Sequence, residues 1–275
     1  MKDRALEIVA SRPPAADGTN LLREYLQSRV LRHMQEAGAF VPLAFMGGTA
    51  LRFLYRIPRF SVDLDFTVER DREAFDLREL VDRLERELVR EGYSVSSKLN
   101  EEPVVARAMV GFPGILEEAR LSPHGDQTLW LRVEVDTNPT AGAGLEVSTI
   151  DRFGLLRLQH HDMSSLFAGK LAAVLAREHT KGRDLYDLMW YLTRDTPPEP
   201  NIELLRNALL QTVPELAGPA EGDWRTSLRS RLAELDWDDA RADVAPFLEQ
   251  PTDVELIGAD TFEQLLRGGA GDFGR

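Results

Sequence analysis

The sequence predicts an α/β fold over residues 1–150, followed by a mostly helical part over residues 151–275. Three observations carry this expectation. Val62, Leu64 and Phe66 alternate with Asp63, Asp65 and Thr67, the period-2 pattern of a strand with one buried face. Apolar residues at helical spacing flank that strand, with Leu22, Leu26, Val30 and Met34 before it and Leu80, Leu84 and Leu88 after it. From about Met163 onward the spacing is helical throughout.

The elements follow in order. PPAADG at 13–18 is a breaker cluster, after which Leu21, Leu22, Tyr25, Leu26, Val30, Leu31 and Met34 predict a helix. Leu43 to Met46 is a short apolar run that ends in Gly47 and Gly48. Thr49 then suits a helix start, and Pro58 ends that helix. A long amphipathic helix is expected from about Arg72 to Arg90, stopping at Gly92. Val104 to Phe112, Gly114 to Leu121 and Thr128 to Asp136 are expected as three strands of a meander, separated by PG and SPHGD turns. Helices are then expected over Leu166–Glu178, Asp184–Leu192, Ile202–Val213 and Trp224–Leu235. The final GGAGDFGR is expected to be disordered.

Composition narrows the function. The 275 residues can bury a sizeable core. No apolar run approaches the ~20 residues that span a bilayer, and the first residues lack the apolar core of a signal peptide. With no cysteine there is no disulfide, thiolate metal site or thiol nucleophile, which is compatible with a reducing cytoplasm. A net charge of -13 argues against a general nucleic-acid coat. The charge is uneven: residues 1–60 carry nine Lys/Arg against five Asp/Glu, whereas residues 221–275 carry six against thirteen.

The chemistry concentrates in Phe45 to Phe66, FMGGTALRFLYRIPRFSVDLDF. Residues two apart on a strand share a face, so Asp63 and Asp65 point the same way. Two ionised carboxylates on one edge repel each other, and a hard divalent ion such as Mg2+ or Mn2+ resolves that conflict. Upstream, Gly47 and Gly48 allow close approach of the backbone to a ligand, and the helix that follows offers free N–H groups that favour phosphate. A phosphate cradle followed by a metal-binding pair is what phosphoryl or nucleotidyl transfer needs. On WLRVEVDTNP, Glu134 and Asp136 are again two apart and co-facial. Arg52 and Arg56 could face phosphate or form a plain solvated face. His160, His161 and Asp162 read as a loop and helix cap rather than a metal cluster.

This block resembles the AbiEii/AbiGii (MenT-like) toxin family of the DNA polymerase β-like nucleotidyltransferase superfamily. Gly47, Gly48, Thr49, Tyr55, Arg59, Ser61, Asp63 and Asp65 match its first two motifs in order. Lys170, then Arg183, Asp184, Tyr186 and Asp187, match its later lysine and R-D-x-Y-D pair. The resemblance covers roughly residues 40–192. It implies a nucleotidyltransferase core with a small mixed sheet, flanking helices and a helical C-terminal part. It implies an active site in which Lys170 and Asp184 are brought over the carboxylates.

The roles it implies are as follows. Asp63 and Asp65 ligate metal. A third metal ligand on a later strand is implied as well, for which Glu134 and Asp136 are each a candidate, with a structural role for either equally open. Gly47, Gly48, Thr49 and Arg59 bind the nucleotide. Ser61 contacts phosphate or is a modifiable hydroxyl. Lys170 neutralises the triphosphate, and Asp184 orients Lys170 or acts as a base. Asp187 is either a helix-surface carboxylate or a further functional one. The implied reaction moves a nucleoside monophosphate from a triphosphate to an acceptor hydroxyl, with the 3′ end of a tRNA or another RNA as acceptor and a separate antitoxin as cognate partner. A cytoplasmic enzyme with no membrane association is expected. A kinase-like phosphotransferase and a catalytically silent nucleotide-binding module remain the alternatives.

Overall fold

A computed structural model describes residues 1–12, 17–70, 72, 75–102 and 104–267. Most of the breaker cluster and all of GGAGDFGR lie outside the described residues, as do parts of the segment expected to begin the helix at Arg72. In chain order the elements are α1 (Lys2–Ala10), α2 (Gly18–Glu36), β1 (Leu43–Met46), α3 (Gly47–Tyr55), β2 (Leu64–Val68), α4 (Leu77–Arg90), β3 (Ser96–Glu101), β4 (Val105–Pro113), α5 (Ile115–Glu118), β5 (Thr128–Asp136), β6 (Leu145–Asp151) and β7 (Leu155–His161). The helices α6 (Met163–Ala176), α7 (Gly182–Leu192), α8 (Ile202–Thr212), α9 (Pro214–Leu232), α10 (Trp237–Val244) and α11 (Ala259–Arg267) follow. The chain divides into two compact units. The first holds residues 1–56, 60–139 and 147–160; the second holds 57–59, 140–146 and 161–275.

In the first unit, the described strands form a mixed sheet in the order β3-β4-β5-β2-β1-β7-β6. β2 runs antiparallel to β1 and parallel to β5, with Leu64 opposite Val133 and Phe66 opposite Val135. One face of β2, β4 and β5 is apolar: Leu64, Phe66, Ala108, Val110, Leu131, Val133 and Val135 are buried. Helix α4 packs there through Leu80, Val81, Leu84 and Leu88, the stripe its heptad-like spacing predicts. Its start is fixed by Asp76, whose side chain accepts from the Glu79 amide, so Phe75 precedes the helix rather than opening it.

Helix α2 is buried nearly all round and carries polar side chains inward. Glu24 takes Arg52 Nη2 at 2.9 Å and is also bonded by Arg152. Arg52 lies over the Phe60 ring, 4.8 Å from its centroid. It is 4% exposed. The helix after the glycines thus turns Arg52 into the core, away from either role the sequence left open.

Three strands depart from expectation. β3 carries one apolar residue among six, so no alternation announces it. β6 is a mostly exposed edge strand. β7 does alternate, with Leu156 and Leu158 buried, and was legible in principle. Conversely, Gly114 to Leu121 is not a strand. Gly114 takes φ +75° and opens the single turn α5, in which Glu117 and Glu118 sit at the N-terminus and only Ile115 is buried. Acids favour a helix N-terminus, and one buried side chain cannot anchor a strand.

The second unit is helical. Asp162 caps α6 by accepting from the Ser165 amide at 2.7 Å. His160 and His161 lie in β7 rather than in the expected loop, and His160 Nε2 is 2.9 Å from Ser148 Oγ. Phe167 stacks on Tyr191 and meets Trp224 edge-on, joining α6, α7 and α9. Arg231 on α9 donates to the carbonyls of Val174, Arg177 and Glu178 and to Thr180 Oγ1. One guanidinium therefore satisfies acceptors that the end of α6 would otherwise leave open. No described helix is long and apolar enough to cross a membrane.

Candidate active site

The first cluster is built on β2 and its neighbours in the first unit. Asp63 immediately precedes β2, and Asp65 is its second residue. Both are partly exposed on the face opposite the apolar core. Asp65 is the register partner of Glu134 on β5, and Thr67 that of Asp136. Glu134 is thus beside the acid pair, one pleat closer than Asp136. Burial raises the pKa of Asp136, against the amide of Asn138, which lowers it; Glu69 adds to the rise and Arg72 opposes it.

The turn before α3 is fitted to this pair. Gly47 has φ +75°, and a Cβ there would overlap Asp65 Oδ2. Glycine is required twice over, by the backbone angle and by the carboxylate resting on it. Met46, at the N-cap of α3, gives no side-chain acceptor to the first amides. Thr49 is fully buried, and its hydroxyl donates to the Asp63 carbonyl. The approach to β2 is pinned from the other side by Gln27, whose Nε2 donates to the carbonyls of Ser61 (3.1 Å) and Val62 (2.9 Å). Of the residues expected at the nucleotide, Gly47, Gly48, Thr49 and Ser61 are therefore gathered around Asp63 and Asp65. The Thr49 side chain acts there as a tether.

Two arginines that the motifs did not single out share the face. Arg132 Nε lies 3.7 Å from Asp63 Oδ1, and its Nη1 lies 3.7 Å from Glu134 Oε1. Arg107 Nε donates to Glu134 Oε1 at 3.0 Å. The signal was present: Arg132 stands two before Glu134 on one strand and so shares its face. Among the described residues no three His, Asp or Glu side chains converge as a metal cage. The available donors are the two carboxylates Asp63 and Asp65, with Glu134 alongside but drawn to two guanidinium groups. A hard oxygen pair suits Mg2+, which commonly takes one or two protein carboxylates and completes its shell with waters and substrate phosphates.

The second cluster lies in the second unit. Lys170 Nζ on α6 is 2.8 Å from Asp184 Oδ1 and 2.7 Å from Asp187 Oδ2 on α7. Asp184 also binds Arg177. Asp187 is fully buried, and Arg59 holds it with two bonds, Nε to Oδ1 and Nη2 to Oδ2, both 2.6 Å. The sequence reading placed Arg59 on the nucleotide. The structure gives its guanidinium to Asp187 instead, with only 1% of the residue exposed. Burial alone would lower the Lys170 pKa, but Asp184 and Asp187 outweigh it and the net shift is upward. Burial alone would raise Asp184, but Lys170 and Arg177 bring it down to about 2. A carboxylate held that low is a poor base at neutral pH. Of its two expected roles, orienting Lys170 fits the geometry.

Asp184 also sets an acid limit. Its folded pKa is depressed below the ordinary carboxylate value of about 3.9, so its stabilising contribution is complete above that value and is lost as pH falls through about 2. Glu91 in the first unit behaves alike. Burial would raise it, but His33 and Arg29 hold it at about 2. Urea midpoints measured from pH 4 down to pH 2 should therefore fall continuously. A midpoint that stays level across that window would contradict both ion-pair assignments.

Comparisons with known proteins add the following. A family described as the nucleotidyl transferase AbiEii toxin, type IV TA system, matches residues 29–267. No curated protein matches the sequence. Among solved structures, the chain resembles MenT4, a nucleotidyltransferase toxin from Mycobacterium tuberculosis, at 19% identity and TM-score 0.53, covering 97% of this chain and 98% of that one. It also resembles JHP933 from Helicobacter pylori at 19% identity and TM-score 0.43, covering 89% and 94%. The first likeness supports a shared fold; the second is too distant to carry an argument.

Proposed function

Because the chain belongs to the nucleotidyl transferase AbiEii toxin family of type IV toxin–antitoxin systems, we propose that it transfers a nucleoside monophosphate from a triphosphate to the 3′ hydroxyl of an RNA, with tRNA as the favoured acceptor. The carrying observation is the placement of Asp63 and Asp65 beside the uncapped start of α3, with Gly47 holding the Asp65 carboxylate close. In this reading Asp63 and Asp65 hold a divalent ion, Mg2+ or Mn2+. When bound, that ion neutralises triphosphate charge and lowers the pKa of the acceptor hydroxyl.

The protein's own groups do the rest. The first amides of α3 point a partial positive charge toward phosphate. Lys170, kept protonated by its two aspartates, supplies a point charge for the triphosphate. Asp184 and Asp187 orient it, and Arg59 fixes Asp187. The acceptor oxygen forms its bond to the α-phosphorus as the bond to pyrophosphate breaks. Growth arrest follows from modified RNA, and the cognate antitoxin relieves it.

Incubating the protein with total RNA, Mg2+ and each triphosphate labelled in turn at the α- or γ-phosphate tests this. RNA should take up α-label and never γ-label. Uptake of γ-label would mark a phosphotransferase instead, and no uptake of either label from any triphosphate would remove the transferase reading.

A further inference from the structure

The face of the sheet that carries the acid pair extends well beyond it. Across β3, β4 and β5, Ser96, Gly111 and Trp130 form one row in register, and Lys98, Met109 and Arg132 form the next. Asn100, Arg107 and Glu134 form a third row, which continues to Asp65 on β2. Trp130 lies over Gly111, where a Cβ would come within 2.7 Å of Cζ3 and 2.8 Å of Cη2. The missing side chain is what lets the ring lie down on the sheet. Lys98 Nζ sits over the same ring, 4.7 Å from its centroid, and Lys98 is exposed. Arg107 and Arg132 keep 40% and 47% of their side chains in solvent.

We propose that this face is an acceptor platform for single-stranded RNA, with one base stacking on Trp130 and backbone phosphates meeting Lys98, Arg107 and Arg132. The claim that it delivers a 3′ end to Asp63 and Asp65 rests on the transferase reading above; the binding itself does not.

Several features converge on this occupant. The chain is acidic overall, yet this face gathers three cations, Lys98, Arg107 and Arg132, on β3, β4 and β5, with Glu102 and Glu134 as the acids paired to the arginines. The cations spread over two strand spacings, about 10 Å, which suits a run of phosphates better than the single cluster a lone triphosphate needs. An aromatic ring flat on a sheet, with cations beside it, is a sequence-tolerant way to hold unpaired bases. A duplex cannot use such a ring, because its bases are already stacked. Lys98 covers the ring in the free protein. Its flexible stem allows the ammonium to move to a phosphate when a base takes its place. Glu134, bonded to Arg107 and near Arg132, holds both guanidinium groups on the platform.

Fluorescence anisotropy with a 5′-labelled short single-stranded RNA, in the absence of triphosphate, tests the proposal without catalysis. Trp130→Ala should weaken binding about tenfold or more, and Trp130→Phe should recover most of the loss. Lys98→Ala should weaken binding and reduce its salt dependence. Circular dichroism confirms folding of each variant. Equal binding by wild type and Trp130→Ala, equal competition by duplex RNA, or no binding by wild type would each overturn the platform. So would a loss of triphosphate affinity in Trp130→Ala with RNA affinity intact, because the ring would then hold the donor's base. If wild type binds RNA through Trp130 but incorporates no α-label, the transferase reading fails and the platform stands. If it incorporates label and Trp130→Ala binds RNA unchanged, the platform fails and the transferase reading stands.

Discussion

Asp63→Asn is expected to lower α-label incorporation by about a thousandfold, the order lost when a preorganised charge contact at a reacting centre is removed, while leaving the fold intact. The substitution keeps the shape of the side chain and removes its charge. What binds residue 63 to the fold is the Thr49 hydroxyl on its backbone carbonyl, which asparagine does not disturb. The side chain's ion pair with Arg132, at 3.7 Å, is partly exposed and contributes at most about 1 kcal/mol, and the carboxylate also interacts electrostatically with Arg23. Its loss is offset by relief of repulsion from Asp65. Activity and stability should therefore separate cleanly, with a melting temperature close to wild type. Activity within tenfold of wild type would show that the acid pair does not hold the catalytic ion. A melting temperature that collapsed with it would show that Asp63 is structural instead.

The second large effect is on stability. Asp187→Ala should cost about 3–5 kcal/mol, because it leaves the Arg59 guanidinium buried with its principal partner gone. Lys170 loses one of its two carboxylates but keeps Asp184. The pair can be tested against itself. Arg59→Met combined with Asp187→Leu removes both charges and fills similar volume, and should be markedly more stable than Asp187→Ala alone. The double variant should lose activity if Asp187 orients Lys170, even as stability returns. A cost below about 1 kcal/mol for the single variant, read from urea unfolding, would show that Arg59 finds solvent or another partner.

Part of this was legible before any coordinates. The strand that carries Asp65, with Asp63 just before it, the glycine turn and the helices α6 and α7 announce themselves because their periodicity comes from a buried face. The acid pair was legible for the same reason: Leu64 and Phe66 go in, so Asp63 and Asp65 stay out. Elements that contribute little to the core were missed. β3 and β6 lie at the two edges of the sheet and have few buried side chains to betray them. Arg59 was misplaced because a motif ties residues together without saying which touches which. Its partner Asp187 lies 128 positions away, and only the fold brings the two into a bidentate pair. The Trp130 platform escaped notice for a like reason. Its rows run across strands, so no stretch of the chain spells it out.

The Arg231 contacts bear on how the protein can be dissected. All the recognisable motifs end by residue 192, which invites the idea of a minimal functional fragment stopping there. Such a fragment would lack the guanidinium that closes the carboxyl end of α6 and the turn running toward Gly182. The segment carrying Lys170 would fray from that end, and Trp224 would no longer cover Phe167. The last third of the chain, which carries none of the short motifs, is thus the brace on which the lysine helix depends, and a trimmed enzyme would be built on a loosened post.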